Sequence, residues 1–277
     1  MKQSLIYGLT GLLALSTMNG QTPDIQKIWE TEANLRVPES VIMTNDHKVL
    51  YFSNIEGETN AKDTKGSIGK MDPNGKVLNV DWLTGLNAPK GLAIHEGKLY
   101  VADVDELVVI DIKEAKVLER ISIFDAKFLN DVTIAKNGII YVSDTRKAII
   151  SRVENNAVSV FISEVKGVNG LLAVDDRLYF LSAGALWRAD TGKVVTKIAE
   201  GMDESVDGLI QTKAGNFIVS CWSGIIYHVK PDGSKTILLD TREQKLNTAD
   251  IGYDSSKNII YVPTFYGNKI VAYKLKE

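Results

Sequence analysis

The sequence of 277 residues is poor in cysteine and has no excess of positive charge. Its single cysteine, Cys221, excludes an intramolecular disulfide. Because Cys221 lies inside an apolar run from 217 to 222, we interpret it as a small buried hydrophobic residue rather than a catalytic thiol. The net charge of -3 gives no reason to expect nucleic acid or an anionic membrane surface as a partner.

An apolar stretch near the N-terminus has the pattern of a targeting segment. Lys2 precedes the stretch Leu5–Leu15, and small or polar residues follow it. The stretch is too short to span a bilayer comfortably, which favours a signal peptide over an uncleaved membrane anchor. We therefore expect residues 1–20 to be a signal peptide and residues 21–277 to form a single domain. The mature protein would be periplasmic or secreted, a monomer, and free of the membrane.

Long helical periodicity is also missing, which disfavours α/β repeat folds. Instead, six segments repeat a short apolar strand, a polar turn and a second apolar strand. The second residues of these segments are residues 39, 90, 130, 169, 207 and 249, at spacings of 51, 40, 39, 38 and 42. A unit of about 40 residues with four strands has the length of a propeller blade. The sequence therefore predicts an all-β fold, a six-bladed β-propeller with four-stranded antiparallel blades.

Two departures from strict repetition carry further predictions. The last repeat supplies only three strands, and Ile25–Trp29 offers the missing outer one. Its pairing with the segment 269–275 would close the ring and cover an exposed strand edge. Blade 1 is longer than the others, and Glu56–Lys65 is predicted to be a polar loop inserted there.

The second residue of each repeat is predicted to stand at one mouth of the central channel. We call these six the mouth residues: Glu39, Lys90, Asn130, Asn169, Asp207 and Ala249. Four of them are oxygen donors, the ligands that hard divalent cations select, and their two carboxylates balance a doubly charged ion. The alternative is that Asn and Asp simply form the turn before each strand. The three histidines lack the spacing of zinc ligands.

Several of these side chains are candidates for chemistry. A carboxylate beside a cation can act as base, nucleophile or water-positioner, and both Asp207 and Glu39 qualify. Lys90 can orient an anionic substrate or stabilise an oxyanion; alternatively, it pairs with a carboxylate at the rim. Trp222 either lines the pocket or packs between blades.

The order Glu39, Asn130-Asp131, Asn169-Gly170 and Asp207-Gly208 resembles the senescence-marker-protein/gluconolactonase family of regucalcin-like lactonases. It resembles the paraoxonase and diisopropyl-fluorophosphatase propellers more distantly. The resemblance implies one divalent metal ion held by Glu39, Asn130, Asn169 and Asp207, with Asp207 as general base. Ca²⁺ is the first expectation, and Mg²⁺, Mn²⁺ or Zn²⁺ are alternatives. The implied activity is hydrolysis of a small-molecule lactone or ester whose carbonyl, or attacking water, is activated by the metal.

The sequence departs from that family in two places. Glu39-Ser40-Val41 replaces the usual Glu-Gly-Pro, and Phe128 stands where sugar-lactone members often carry arginine. The missing arginine predicts a less polar substrate, with Lys90, Phe128 and Trp222 as candidate substrate-binding residues. The strands also resemble NHL-type repeat propellers, so the alternative function is a non-catalytic module that binds a ligand or a protein.

Overall fold

Each sequence repeat forms one antiparallel sheet of four strands in the computed structural model, which describes residues 22–277. Six such sheets make the six-bladed β-propeller that the repeat predicts. The predicted signal peptide, residues 1–20, lies outside the described residues. Within the described range, no helix has the length and apolar character needed to cross a membrane.

The strands of the first three blades follow one another in chain order. Blade 1 contains β2 (Pro38–Met43), β3 (Leu50–Asn54), β4 (Gly66–Met71) and β5 (Val77–Leu86). Blade 2 contains β6 (Pro89–His95), β7 (Lys98–Asp103), β8 (Glu106–Asp111) and β9 (Lys116–Ser122). Blade 3 contains β10 (Leu129–Ile134), β11 (Ile140–Asp144), β12 (Ile149–Glu154) and β13 (Ala157–Ile162).

The remaining blades include the seam of the ring. Blade 4 contains β14 (Val168–Val174), β15 (Arg177–Ser182), β16 (Ala185–Ala189) and β17 (Val195–Ala199). Blade 5 contains β18 (Val206–Gln211), β19 (Phe217–Cys221), β20 (Ile225–Val229) and β21 (Lys235–Asp240). Blade 6 contains β22 (Gly252–Asp254), β23 (Ile259–Pro263), β24 (Ile270–Lys276) and β1 (Asp24–Glu30), with a 3₁₀ helix at Phe265–Gly267.

The N-terminal strand closes the ring, as the sequence predicts. β1 pairs antiparallel with β24, so blade 6 has the strand order β1-β24-β23-β22. Trp29 lies opposite Ala272 in this register, and its ring centroid is 5.7 Å from that of Tyr261. The outer edge of β24 is thereby covered by hydrogen bonding rather than left open to another chain.

The hydrophobic core is divided into clusters that lie between adjacent blades. At the seam, Leu50 and Phe52 of blade 1 pack against Tyr261 and Ile270 of blade 6, and all four are fully buried. Equivalent clusters join the other neighbouring blades. Each blade therefore buries its apolar faces only with both neighbours in place, so the stability of the sheets depends on ring closure.

The inserted segment of blade 1 is a loop that reaches across blade 2. Asn60 Nδ2 donates to the carbonyl oxygen of Lys127 at 3.3 Å, in the segment that leads into blade 3. Lys62 Nζ donates to Asp105 Oδ2 of blade 2 at 2.6 Å. These contacts place the loop over one mouth of the channel, where Thr59 joins the lining of a pocket.

Truncation of the closing strand's aromatic anchor should destabilise the protein. We expect Trp29→Ala to lower the free energy of unfolding by about 2–3 kcal/mol, since a partly buried tryptophan loses less than a core one. Denaturant titration measures the change. Ile28→Ala, a side chain 45% exposed on the same strand, is the matched control and should change stability by no more than about 0.5 kcal/mol. Equal effects of the two substitutions would contradict an anchoring role for Trp29.

Candidate functional site

A β-bulge opens the innermost strand of blades 1 to 5. In blade 1, Pro38 pairs with Asn54 and Val41 pairs with Phe52, so Glu39 and Ser40 lie opposite a single residue of β3. The same register shift occurs in blades 2, 3, 4 and 5. A bulge leaves a residue outside the regular ladder and re-aims its side chain. The mouth residues of these blades are the first residues of the bulges.

A serine on the second strand stabilises three of these bulges. Ser143 Oγ accepts the backbone N–H of Asp131 at 2.8 Å, and Ser220 Oγ accepts that of Gly208 at 2.8 Å. Ser53 does the same for Ser40 in blade 1 at 2.9 Å. Each serine is the single residue that faces the two bulge residues. This role was not predicted from the sequence, although the serine follows an apolar strand segment in all three repeats.

Small residues next to the mouth allow neighbouring blades to approach closely. A Cβ on Gly170 would lie 2.2 Å from the carbonyl oxygen of Asp207, and one on Gly208 would lie 2.4 Å from the backbone nitrogen of Ile251. The approach lets Asn169 Nδ2 of blade 4 donate to Asp207 Oδ1 of blade 5 at 2.8 Å. Glycine is therefore required at these positions for contact between blades.

The mouth opens into a cavity of about 450 Å³. Its lining contains all seven residues singled out from the sequence: Glu39, Lys90, Phe128, Asn130, Asn169, Asp207 and Trp222. It also contains residues that the sequence analysis did not select: Ile55, Thr59, Thr145, Gly167, Glu204, Ser205, Val206, Phe265 and Tyr266. Ala249, the sixth mouth residue, instead packs in a buried apolar cluster. The predicted residues thus share one pocket.

Hydrogen bonding sets which end of each amide is free for a ligand. The Thr145 hydroxyl donates to the carbonyl oxygen of Val168 at 2.7 Å, so it can accept from Asn130 Nδ2 at 3.0 Å. The amide nitrogen of Asn169 is engaged by Asp207 in the same way. Both amide nitrogens are held by protein acceptors, which leaves the amide oxygens as available ligands.

Two buried carboxylates complete the oxygen-donor set. Glu39 and Asp207 are only 4% and 3% exposed, and Glu39 Oε2 is a buried oxygen without a hydrogen-bond partner. An unpartnered carboxylate oxygen is costly to bury, and a cation would satisfy it. Among residues 22–277, no group of three or more His, Cys, Asp or Glu side chains could hold a metal ion. A metal here would accordingly depend on amide as well as carboxylate oxygens.

Burial and mutual repulsion disfavour ionisation of these acids. Burial raises the pKa of Glu39 well above its ordinary value, and the charges of Asp207 and Asp250 raise it further. Burial also raises the pKa of Asp207; Asp250 adds to this effect and the hydrogen bond from Asn169 opposes it. Desolvation raises the pKa of Asp250 to about 6, against the hydrogen bond that Ser40 donates. Positive charge in the pocket would relieve this repulsion.

Lys90 and Phe128 form a cationic corner of the pocket. Lys90 is 2% exposed, and Nζ donates to the carbonyl oxygen of Ala88 at 3.0 Å rather than extending to a carboxylate at the rim. Nζ lies 4.4 Å from the centroid of the Phe128 ring, and Arg146 Cζ lies 4.6 Å from it. Burial lowers the pKa of Lys90 to about 8, although the charge of Glu39 opposes the shift.

Two further carboxylates line the channel below the mouth. Asp131 Oδ2 accepts the backbone N–H of Leu171 at 2.6 Å, and Asp250 Oδ2 accepts the Ser40 hydroxyl at 2.6 Å. Both lie along a second cavity of about 470 Å³ that extends from the other end of the channel. Neither was predicted from the sequence to line the channel, because each follows a mouth residue by one position. In the repeat alignment they share one position with Ser40, Gly91, Gly170 and Gly208, and that shared position is the sequence signal that identifies them.

The raised carboxyl pKa values predict that the metal-free protein loses stability as the pH rises. A carboxyl whose pKa is higher in the folded than in the unfolded state retains its proton when folded, so deprotonation favours unfolding. With its pKa of about 6, Asp250 titrates between pH 5 and pH 8. After chelator treatment, denaturant titration should give a free energy of unfolding that is lower at pH 8 than at pH 5, and titration of Asp250 should account for about 1 kcal/mol of the difference.

Two variants test this assignment. Asp250→Asn removes the titrating charge and should reduce the fall in stability. Asp176→Asn removes an exposed charge from the loop between β14 and β15 and should leave the fall unchanged. The same pH dependence in wild type and Asp250→Asn would contradict the assignment to Asp250.

Comparison with known proteins identifies the fold. No protein-family model matches the sequence, and no curated protein is detectably similar to it. A catalytically inactive variant of virginiamycin B lyase from Staphylococcus aureus with quinupristin is similar in structure, with a TM-score of 0.66, 13% identity, and coverage of 91% of this chain and 99% of that chain. A streptogramin B lyase gives a TM-score of 0.68 at 11% identity, covering 92% and 98%. A structural genomics protein of unknown function from Bacteroides thetaiotaomicron VPI-5482 gives 0.68 at 11% identity, covering 92% and 76%. At these identities, what this chain shares with them is the propeller fold.

Proposed function

We propose that this chain is an exported, metal-dependent hydrolase of lactones or related esters. One observation carries the proposal: oxygen-donor side chains from four different blades line a single pocket, and one of their buried carboxylate oxygens has no partner. A residue that only forms a turn can keep its carboxylate in water. Turn formation alone therefore does not account for an unpartnered buried carboxylate. Export rests on the N-terminal sequence pattern.

The donor set suits a hard divalent cation. Glu39, Asn130, Asn169 and Asp207 would hold it, and Ca²⁺ fits best because it accepts mixed carboxylate and amide oxygens. Mg²⁺, Mn²⁺ and Zn²⁺ are the alternatives, and the pocket lining offers no histidine to favour zinc. When bound, the cation would polarise the substrate carbonyl or make a bound water more acidic.

Asp207 is the candidate general base. Its Oδ1 accepts from Asn169 at 2.8 Å, which fixes the carboxylate between two blades. Burial raises its pKa in the metal-free protein, and a bound cation would favour the ionised carboxylate that a general base requires. In the proposed hydrolysis, Asp207 takes one proton from water while the resulting hydroxyl bonds to the carbonyl carbon. The acyl carbon–oxygen bond then breaks, and that proton passes to the departing alkoxide oxygen.

Lys90 is the candidate for stabilising negative charge on the carbonyl oxygen. Its pKa of about 8 leaves it mainly protonated at neutral pH. A buried ammonium group is a stronger electrostatic stabiliser than one in water. Asp144 positions the neighbouring backbone, because its carboxylate accepts the N–H groups of Lys127 at 2.7 Å and Phe128 at 3.1 Å. Phe128 is thereby held beside the Lys90 ammonium.

A binding module without catalytic activity is the second candidate. It is favoured by the exposed aromatic side chains Trp222 and Tyr266 at the pocket and by Phe128 in place of an arginine. The lyases that share the fold are enzymes, but at 11–13% identity they give only weak support for enzymatic chemistry in this chain. One of them is described as catalytically inactive after a histidine is replaced by alanine. The pocket lining of this chain includes no histidine, so we do not propose histidine-dependent lyase chemistry.

Metal binding is tested by thermal denaturation of the chelator-treated protein during titration with Ca²⁺, Mg²⁺, Mn²⁺ and Zn²⁺. At a metal concentration about 100 times the dissociation constant, ligand linkage should raise the melting temperature by roughly 5–10 °C. Asp207→Asn and Asn169→Ala should each remove most of the increase because each removes a donor oxygen. Asp176→Asn makes the same charge change at the surface and should respond like wild type.

Activity is tested on a panel of lactones, esters and phosphotriesters with the metal-loaded protein. Asp207→Asn should lower kcat at least about 100-fold, because it removes both a metal ligand and the candidate general base. If no metal raises the melting temperature, the proposed metal-dependent function is wrong. If metal binds but every substrate is inert, the binding-module alternative is favoured.

A further inference from the structure

One side of the pocket is formed by three aromatic side chains, Trp222 of blade 5 and Phe265 and Tyr266 of blade 6. We call these three residues the aromatic wall. Trp222 is 39% exposed and Tyr266 is 63% exposed, although large aromatic side chains usually lose most of their surface on folding. Exposed aromatic surface beside a pocket is typical of a binding site.

The wall presents both faces and edges of aromatic rings. The three planes are nearly perpendicular, with interplanar angles of 79° for Trp222–Phe265, 81° for Trp222–Tyr266 and 87° for Phe265–Tyr266. The corresponding centroid distances are 5.6, 6.1 and 4.8 Å. In such an arrangement the edge of one ring meets the face of another. The exposed surfaces of Trp222 and Tyr266 are therefore available to a flat ligand.

The turn that carries the blade 6 part of the wall is held by hydrogen bonds. Phe265 has a φ of 48°, a left-handed conformation that is strained for a bulky residue. The turn that imposes it is held by a hydrogen bond from the backbone N–H of Lys269 to Thr264 Oγ1 at 3.1 Å. Asn268 Oδ1 also accepts the N–H of Val37 at 2.9 Å, which ties the turn to blade 1. Strain retained in a well-bonded turn is more common at functional sites than elsewhere.

Trp222 is held from its own side of the pocket. Its backbone N–H donates to the carbonyl oxygen of Ser205 at 2.8 Å, and its carbonyl oxygen accepts from Asn247 Nδ2 at 2.8 Å. These bonds fix the backbone from which the wall side chains project, so a ligand could bind without ordering a loop.

Phe128, the remaining aromatic side chain of the pocket, already contacts two cationic side chains. Lys90 and Arg146 both lie over the Phe128 ring, at 4.4 and 4.6 Å from its centroid. The pocket is therefore divided. The Lys90 corner is cationic, the mouth residues supply oxygens, and the aromatic wall offers free ring surface. This polarity would direct the acyl oxygen of a ligand towards Lys90 and an apolar substituent towards the wall.

We propose that the aromatic wall binds a flat aromatic substituent of the substrate, so that the protein selects aryl-substituted lactones or esters over polyhydroxylated sugar lactones. The proposal rests on the proposed function for the identity of the reacting group. A sugar lactone carries several hydroxyl groups that must exchange hydrogen bonds to water for hydrogen bonds to the protein. Of the three wall side chains, only Trp222, through its indole N–H, and Tyr266, through its hydroxyl, can form such bonds. An aromatic ring has no such requirement and gains stacking contact.

Binding is measured apart from catalysis with lactams, because their amide bond resists hydrolysis. Calorimetric titration of the metal-loaded protein with a phenyl-substituted butyrolactam and with unsubstituted butyrolactam gives the contribution of the ring. We expect the phenyl compound to bind roughly 10-fold more tightly, and Trp222→Ala and Tyr266→Ala each to reduce that preference by roughly three- to tenfold. Trp222→Phe should retain most of it because it keeps an aromatic ring.

Phe124→Ala is the matched control, since Phe124 is 87% exposed and does not line the pocket. The preference of this variant for the phenyl lactam over the unsubstituted lactam should equal that of wild type. Equal binding of the two lactams, or a preference that survives both Trp222→Ala and Tyr266→Ala, would overturn the role of the wall. Tyr266 is largely exposed, so its variant remains informative if Trp222→Ala does not fold.

Hydrolysis assays separate this inference from the proposed function. If phenyl-substituted and unsubstituted butyrolactone are hydrolysed equally well by wild type and by Tyr266→Ala, the function holds and the inference is wrong. If no lactone is hydrolysed but the phenyl lactam still binds through the wall, the hydrolase proposal fails and the wall remains a binding site.

Discussion

In five of the six blades, two residues of the innermost strand lie opposite a single residue of the next strand. This bulge is the constraint on which the pocket depends. It frees a backbone N–H, which the facing serine accepts in three blades, and it re-aims one side chain at the channel mouth. A regular ladder would alternate side chains between the two faces of each blade, where interblade packing would bury them.

Ring closure makes the bulges converge. The apolar clusters lie between blades, so no blade buries its faces without both neighbours. Gly170 and Gly208 then allow backbones of adjacent blades to approach closely, and side chains distant in sequence come into hydrogen-bonding range. Asn169 and Asp207 are the clearest pair, 38 residues apart and joined by a bond of 2.8 Å. The pocket is therefore a property of the closed ring rather than of any blade.

The packing that stabilises the ring also desolvates the acids at its centre. Glu39 and Asp207 are held among neighbouring carboxylates, and burial is the main cause of their raised pKa values. Lys90 is the one cation among the mouth residues, and its ammonium is engaged by a backbone carbonyl and an aromatic ring. Oxygen donors therefore outnumber cations at a site whose carboxylates are buried from water. Such an environment strengthens any interaction with a cationic ligand.

Strand periodicity and repeat length in the sequence predicted the six-bladed architecture, the closing strand with Trp29 and the alignment of the mouth residues, because both are local properties of the chain. The sequence did not determine the orientation of the Asn130 amide, which follows from Thr145 and its bond to blade 4. Nor did it reveal the aromatic wall, since Phe265 and Tyr266 belong to a non-repeated turn whose direction is set by contacts across the seam. Both features arise in the folded ring, because hydrogen-bond partners and ring contacts are fixed when blades meet.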